Sequence, residues 1–354
     1  MKKRSIKING RKVGPHSPSY IIAEIGSNFD GGKNRAKKLI ADAAECGADA
    51  AKFQAFKAEK IVSQEGFAGM KEGFQSDWDQ PVYEVYKEAE LPREWLPELK
   101  RCAQEEGIDF LCTPYDREAV EQLEEIDVPA YKIGSGDITW VDFLKNIAAL
   151  EKPVLLSTGA STIEDIDRAV RNIMQTGNSR LALMQCVTNY PSDFESANIR
   201  AMETLQQAFE VPVGYSDHTP GSVVPLGAIS RGGCLIEKHF TDDKTRSGPD
   251  HSFAMNLDEF SDMVQSIRRL ESALGSRRIR LYDEEKTTVV LQRRCLRATS
   301  YIEAGTTLSE KHIEALRPAP TDSIEPWQRS SVLGCTPKYD LEEGEHITWN
   351  HFKS

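Results

Sequence analysis

Two histidines in the chain, His218 in GYSDHTPG and His239 in IEKHF, each follow or close a short β-rich run, at 211–215 and 234–239. If those runs are neighbouring parallel strands, the two imidazoles meet at one rim, and with carboxylates nearby they suit a divalent cation that keeps open positions. Lys52 in AAKFQ and Lys132 in AYKIGSG lie among apolar residues near the ends of similar runs. A buried ammonium is costly unless it meets an anion, so the pair points to a bound phosphate or carboxylate. Ser135, Ser157 and Ser216 would donate hydroxyls, and Gly134, Gly136 and Gly159 would allow close backbone approach. The alternative is a pair of internal salt bridges from the lysines to Glu24 and Asp137. Glu24, in AEIG, is an inward carboxylate for proton transfer or water positioning, or else the charge partner of Lys52. Asp250 and His251, in SGPDHSF, could hydrogen-bond a polyol or simply face solvent.

The elements that must position these residues show in the hydrophobic pattern. Eight β-rich apolar runs, at 20–25, 48–53, 109–112, 130–133, 154–157, 181–186, 211–215 and 234–239, alternate with stretches of helical period at 34–46, 92–106, 117–125 and 161–174. Ser161 and Glu164 form a candidate capping box for the last of these helices. Eight βα units in about 240 residues fit a (β/α)8 TIM barrel better than an open doubly wound sheet. A barrel's active site lies at the C-terminal ends of its strands, and nearly every run here ends in polar residues. In chain order they are Glu24; Lys52 and Gln54; Thr113; Lys132, Ser135 and Asp137; Ser157 and Thr158; Thr188 and Tyr190; Ser216, Asp217 and His218; Lys238 and His239. The long, Gly-containing and aromatic stretch 57–92 is expected to lie as a loop over one end and cover substrate. A helical stretch at 262–274, the basic run 277–280, read as a solvated helix end, and a polar connector at 283–288 mark a boundary between a barrel, 1–282, and a small β-rich domain, 289–354. Within the latter, 301–313 and 340–352 repeat one pattern, with Gly305 matching Gly344, Leu308 matching Ile347 and Ile313 matching Phe352.

Composition bounds the class. A chain of 354 residues, 39% of them hydrophobic and 28% charged, can bury a sizeable core and lies far from disordered composition. Lys plus Arg number 44 against 55 Asp plus Glu, a net charge of −11, which argues against non-specific binding to nucleic acid or anionic membranes. Neither a membrane span nor a signal-peptide core is legible, so a cytoplasmic protein is expected. The seven cysteines are scattered and form no C-x-x-C pair, as expected of small core residues rather than of disulfides or a zinc ribbon.

The strings IIAEIGSNFDGG, AKFQAF, CTPYD, YKIGSGD, LLSTGAS, QCVTNYPS, VGYSDHTPGS and IEKHFTDD, in this order, closely resemble the sialic acid synthase family, whose members condense phosphoenolpyruvate with an N-acetylated hexosamine. The likeness spans essentially the whole chain, and its C-terminal part resembles the family's antifreeze-like (SAF) domain. It implies a metal-dependent barrel, with Mn²⁺ or Mg²⁺ best suited to oxygen-rich substrates. It also implies a homodimer in which each small domain caps the partner's active site. Carried over to this sequence, His218 and His239 match metal ligands, and Lys52, Thr113, Lys132, Ser135, Ser157 and Ser216 match phosphoenolpyruvate contacts. Glu24 matches the catalytic carboxylate, Gln54, Tyr190 and Asp250 match sugar-side positions, and Arg317 matches the arginine that the partner's small domain presents to the sugar. Asp137, Thr188 and Phe29 depart from the family's usual Glu, Asn and His at those places. A metal-dependent sugar-phosphate lyase or isomerase on the same barrel is the alternative reading, since fold does not fix reaction. A catalytically silent sugar-binding protein is a third.

Overall fold

The computed structural model of the protein describes residues 5–68, 73, 75, 78 and 80–352. The chain divides into two units, Met1–Gly275 and Ser276–Ser354. No helix among the described residues is long and apolar enough to cross a membrane.

The first unit opens with a hairpin of β1 (Ile6–Ile8) and β2 (Arg11–Val13). Asn9 and Gly10 connect them with φ of 45° and 77°, the positive-φ pair that a two-residue hairpin turn requires. Eight strands follow: β3 (Tyr20–Gly26), β4 (Ala50–Ala55), β5 (Asp109–Pro114), β6 (Tyr131–Ile133), β7 (Val154–Ser157), β8 (Leu181–Cys186), β9 (Val213–Asp217) and β10 (Leu235–His239). They form one sheet in the order β5-β4-β3-β10-β9-β8-β7-β6, and all seven ladders are parallel. β5 and β6, at the two ends of that order, lie side by side and close the barrel. The expected (β/α)8 architecture is therefore present. The strands at 48–53 and 211–215 sit about two residues later than their apolar patterns suggested.

Side-chain alternation divides the barrel into an outer and an inner set. Ile21, Ala23 and Ile25 of β3, Ala51 and Phe53 of β4, Tyr131 and Ile133 of β6 and Ile236 of β10 join the core between strands and helices. In the opposite phase, Tyr20, Ile22, Ala50, Leu111, Ala130, Leu155, Ala182, Met184 and Leu235 fill the barrel interior. There they meet Ile6, Ile8 and Val13 of the hairpin, which plugs the N-terminal end. Two residues beyond Ile22, Ala50, Leu111, Ala130, Leu155 and Leu235 on the inner face, the apolar filling gives way to Glu24, Lys52, Thr113, Lys132, Ser157 and Glu237, whereas β8 ends in Cys186.

The helix Ile163–Gln175 starts two residues later than the expected stretch 161–174, and its N-cap is displaced by one. Its capping box is Thr162 with Asp165, not Ser161 with Glu164, and the Ser161 hydroxyl instead donates to the Gly159 carbonyl. Stretch 57–92 carries short helices at Ala58–Ile61, Gln64–Phe67 and Val82–Glu88.

In the second unit, β11 (Cys295–Ala298) pairs antiparallel with β12 (Ile313–Leu316). The expected polar connector holds a helix, Lys286–Gln292. The sequence repeat corresponds to a structural one: Ile302 and Leu341 bridge each other, and Gly305 and Gly344 share φ near 80° (83° and 78°). Leu308, Ile313 and Ile347 are core residues, against which Phe352 packs.

Candidate active site

The inner polar layer brings together residues far apart in sequence because each occupies the same phase of neighbouring strands. Lys52 of β4 lies 2.8 Å from Glu24 of β3 and 3.9 Å from Glu237 of β10, while Lys132 of β6 lies 3.4 Å from Glu237. All four are at most 5% exposed. Hydroxyls complete the layer. Lys52 Nζ donates to Thr113 Oγ1 at 3.1 Å, Lys132 Nζ to Ser157 Oγ at 2.7 Å, and Ser216 Oγ to Glu237 Oε1 at 2.9 Å. Gln54 Nε2 donates to Glu24 Oε1 at 2.6 Å.

Charge coupling in this layer is strong because water is excluded. Burial opposes the charge of Glu237, yet Lys132, Lys52 and the Ser216 hydrogen bond hold its carboxyl down at about 2. Burial likewise opposes the charge of Lys52, and here Glu237 and Glu24 prevail and raise its pKa. For Lys132 burial prevails, with repulsion from Lys52 adding to it, and the pKa is lowered despite Glu237. The ion pair between Lys52 and Glu24 is thus one of the two anticipated as an alternative. Lys132 has Glu237 as its partner rather than Asp137.

Above this layer stand the histidines. The ring centres of His218 and His239 are 5.5 Å apart. His218 Nδ1 lies 2.7 Å from the Val187 carbonyl oxygen; donation to that oxygen leaves the lone pair on Nε2. Burial, with His239 beside it, pushes the His218 pKa down to about 3, so the ring is neutral, as a ligand must be. His239 Nδ1 is buried without a hydrogen-bond partner. Both rings therefore fit a divalent cation. Among the described residues no group of three or more His, Cys, Asp or Glu side chains is placed to hold one, which leaves the remaining positions to water or substrate oxygens.

Beside the histidines opens a cavity of about 140 Å³ lined by Ser27, Gln54, Tyr190, His239 and Asp250 and walled by aromatic side chains that include Phe56, Tyr86, Tyr115 and Phe253. Tyr86 belongs to stretch 57–92, which lines the cavity as anticipated. Tyr190 leans on His218 with ring centres 4.1 Å apart. Ser135 and Asp137 lie in the single turn after β6. Ser135 Oγ accepts from the Gly159 N–H at 3.0 Å. A Cβ at Gly159 would overlap Thr188 Oγ1 and lie 2.9 Å from Ser135 Oγ, so this approach needs glycine. Burial raises the Asp137 pKa to about 6, and its Oδ2 has no hydrogen-bond partner. Arg317, exposed and just beyond β12 in the second unit, makes no hydrogen bond or ion pair among the described residues.

Asp217 and Lys238 correct the expected rim. They occupy the outer phase of β9 and β10 and pair with each other at 2.6 Å, Asp217 also capping Thr219. Glu237, passed over in the sequence, takes the inner place between the two lysines. It is two residues before His239 and so shares its face, the signal that would have found it. His251 is buried inside the loop rather than presented to a ligand.

The polar layer at the strand ends of a parallel barrel lies where enzymes of this fold carry their active sites. Residues 39–278 match the model of the NeuB family and residues 293–353 that of the SAF domain. The N,N'-diacetyllegionaminic acid synthase of Legionella pneumophila is 36% identical over 353 residues, 98% of this chain and 99% of the relative. The N-acetylneuraminate-9-phosphate synthase of Mus musculus is 35% identical over 301 residues, covering 85% of this chain and 83% of that one. A crystal structure of the N-acetylneuraminic acid synthetase of Leptospira borgpetersenii serovar Hardjo-bovis, in complex with citrate, superposes with a TM-score of 0.72 at 32% identity, over 81% of this chain and 95% of that chain. The chain belongs to the NeuB family of nonulosonic acid synthases.

Proposed function

We propose that the protein condenses phosphoenolpyruvate with an N-acetylated hexosamine, N-acetylmannosamine or a 2,4-diacetamido-trideoxy hexose, and releases phosphate. The observation that carries this reading is the inner layer itself. Two buried lysines are ringed by Thr113, Ser157 and Ser216, with Ser135 and Thr188 at Gly159, directly below a histidine pair and beside an aromatic-walled cavity.

In this reading Lys52 and Lys132, with those hydroxyls, hold the phosphate and carboxylate of phosphoenolpyruvate and screen their charge. Gln54, Tyr190 and Asp250 orient the open-chain sugar so that its aldehyde faces C3 of phosphoenolpyruvate. Mn²⁺ or Mg²⁺ held by His218 and His239 would supply Lewis-acid polarisation of the aldehyde. The C2=C3 π pair of phosphoenolpyruvate forms the C3–C1 bond, the aldehyde π pair moves onto its oxygen, which takes up a proton to become a hydroxyl, and C2 is left as an oxocarbenium. Glu24 positions the water whose oxygen bonds to C2 as one of its protons is released. The C2–O bond to the phosphoryl group then breaks, phosphate leaves, and the C2 hydroxyl loses its proton to give the 2-keto acid. In this reading Arg317 is presented to the partner's site by the small domain of a homodimer.

A panel of acetamido sugars with phosphoenolpyruvate and Mn²⁺, read by phosphate release and product mass, tests the proposal. Stoichiometric phosphate requiring both substrates supports it. Phosphate or product from a single sugar phosphate would instead indicate a lyase or isomerase.

A further inference from the structure

Two loops at the barrel mouth are joined through a buried histidine that the reaction above does not use. His251 is 0% exposed. Its Nε2 donates to Asp30 Oδ1 at 2.8 Å, and its Nδ1 lies 2.8 Å from Thr241 Oγ1. Asp30 belongs to the turn after β3, whereas Thr241 and His251 belong to the loop after β10, so the ring staples one strand end to the other. Asp30 is itself held, by Arg246 Nε at 2.8 Å and Arg35 Nε at 3.5 Å, and Arg35 continues to Asp242 in the same loop.

The residue before His251 is Asp250, the carboxylate in the cavity wall. Its Oδ2 accepts from the Ser27 hydroxyl at 3.2 Å and the Ser27 N–H at 3.4 Å. The backbone has been cleared around both side chains. Gly26 has φ of +55°, and a Cβ there would stand 2.6 Å from Asp250 Oδ2. A Cβ at Gly248 would stand 2.7 Å from the His251 ring. The same two loops therefore meet twice within two consecutive residues, once through His251 and once through Asp250.

We propose that the Asp30–His251 pair is a positioning device that fixes the Asp250 carboxylate toward the acetamido sugar; this rests on Asp250 being a sugar-side group. A carboxylate carried on a loop holds a productive orientation only if its neighbours remove the loop's freedom. A histidine bonded at both nitrogens, with a carboxylate as one acceptor, does so through directional, charge-assisted contact.

Steady-state kinetics of the full-chain enzyme, with phosphoenolpyruvate, Mn²⁺ and an accepted acetamido sugar, test this. His251→Phe keeps a ring and removes both hydrogen bonds, and Asp30→Ala removes the acceptor. Each is expected to raise the sugar KM about tenfold while the phosphoenolpyruvate KM stays within about twofold. Asp30→Asn, which keeps an acceptor for Nε2, should recover most of the loss. An unchanged sugar KM in both variants, or an equal rise in both substrate constants, would overturn the positioning role. Should His251→Phe not fold, as judged by circular dichroism, the contrast between Asp30→Ala and Asp30→Asn decides alone. Asp250→Asn separates the two levels: if it leaves the sugar KM unmoved, the sugar-side assignment of Asp250 is wrong whatever the other variants do.

Discussion

Glu237→Gln is the sharpest test of the inner layer, because the substitution keeps the shape and the acceptor for Ser216 while deleting one charge. In the native protein Glu237 lies 3.4 Å from Lys132 and 3.9 Å from Lys52, and its carboxyl is held at about 2 rather than at the ordinary 4.5. At about 1.4 kcal/mol for each tenfold in acidity, that depression corresponds to about 3 kcal/mol. Removing one partner of a buried ion pair typically costs ~3–5 kcal/mol, the same order. A depressed carboxyl pKa stabilises the fold fully above 4.5, and the contribution is lost as pH falls through about 2. Urea unfolding followed by far-UV circular dichroism, which reports chiefly the barrel helices, is expected to show Glu237→Gln less stable by about 3 kcal/mol at pH 7. The gap should narrow progressively below pH 4.5. Equal midpoints at pH 7, or a gap that persists unchanged in acid, would show that Glu237 is not the counter-charge of the two lysines.

Lys132→Ala should raise the KM for phosphoenolpyruvate far more than that for the sugar, because charge-assisted hydrogen bonds of ~1.5–3 kcal/mol each are lost; a change confined to the sugar constant would show the lysine misassigned. Chelation should abolish turnover and added Mn²⁺ restore it, with His218→Ala and His239→Ala inactive but folded by circular dichroism; full activity in metal-free buffer would refute the pair as ligands. Gly159→Ala places a methyl group against Thr188 and Ser135 and should cost ~1–3 kcal/mol in thermal stability together with phosphoenolpyruvate affinity, with Thr188→Ala partly restoring both. Mixing Arg317→Ala with His218→Ala subunits should recover some activity through reassorted dimers; mixed dimers confirmed by mass that stay inactive would remove the partner-supplied arginine.

Much of the site was legible because a barrel turns sequence order into spatial order. Once eight strands are counted, the residues at their ends must face one mouth, which is how Glu24, Lys52, Lys132, His218 and His239 could be grouped from scattered strings. What stayed hidden was phase. Asp217 and Lys238 are as polar and as close to strand ends as Ser216 and His239, yet they point outward and neutralise each other. Glu237 looks like one more charge in IEKHF until the inner face of β10 is known. The Asn9–Gly10 turn was a local hairpin signal that went unread, and its role as a plug depends on contacts with barrel residues far along the chain.

The amino-acid sequence by itself determined the alternation of strands and helices and the residue types gathered at the barrel mouth, because these follow from local periodicity and from one rule of barrel topology. Only the tertiary structure decided which carboxylate meets which lysine, that His251 is buried and tied to Asp30, that Gly26 is needed for close approach, and that among Gly134, Gly136 and Gly159 only the last is crowded enough to require glycine. Those outcomes depend on register and on loop paths between distant segments, where a shift of one residue turns a side chain from the interior to the outer face.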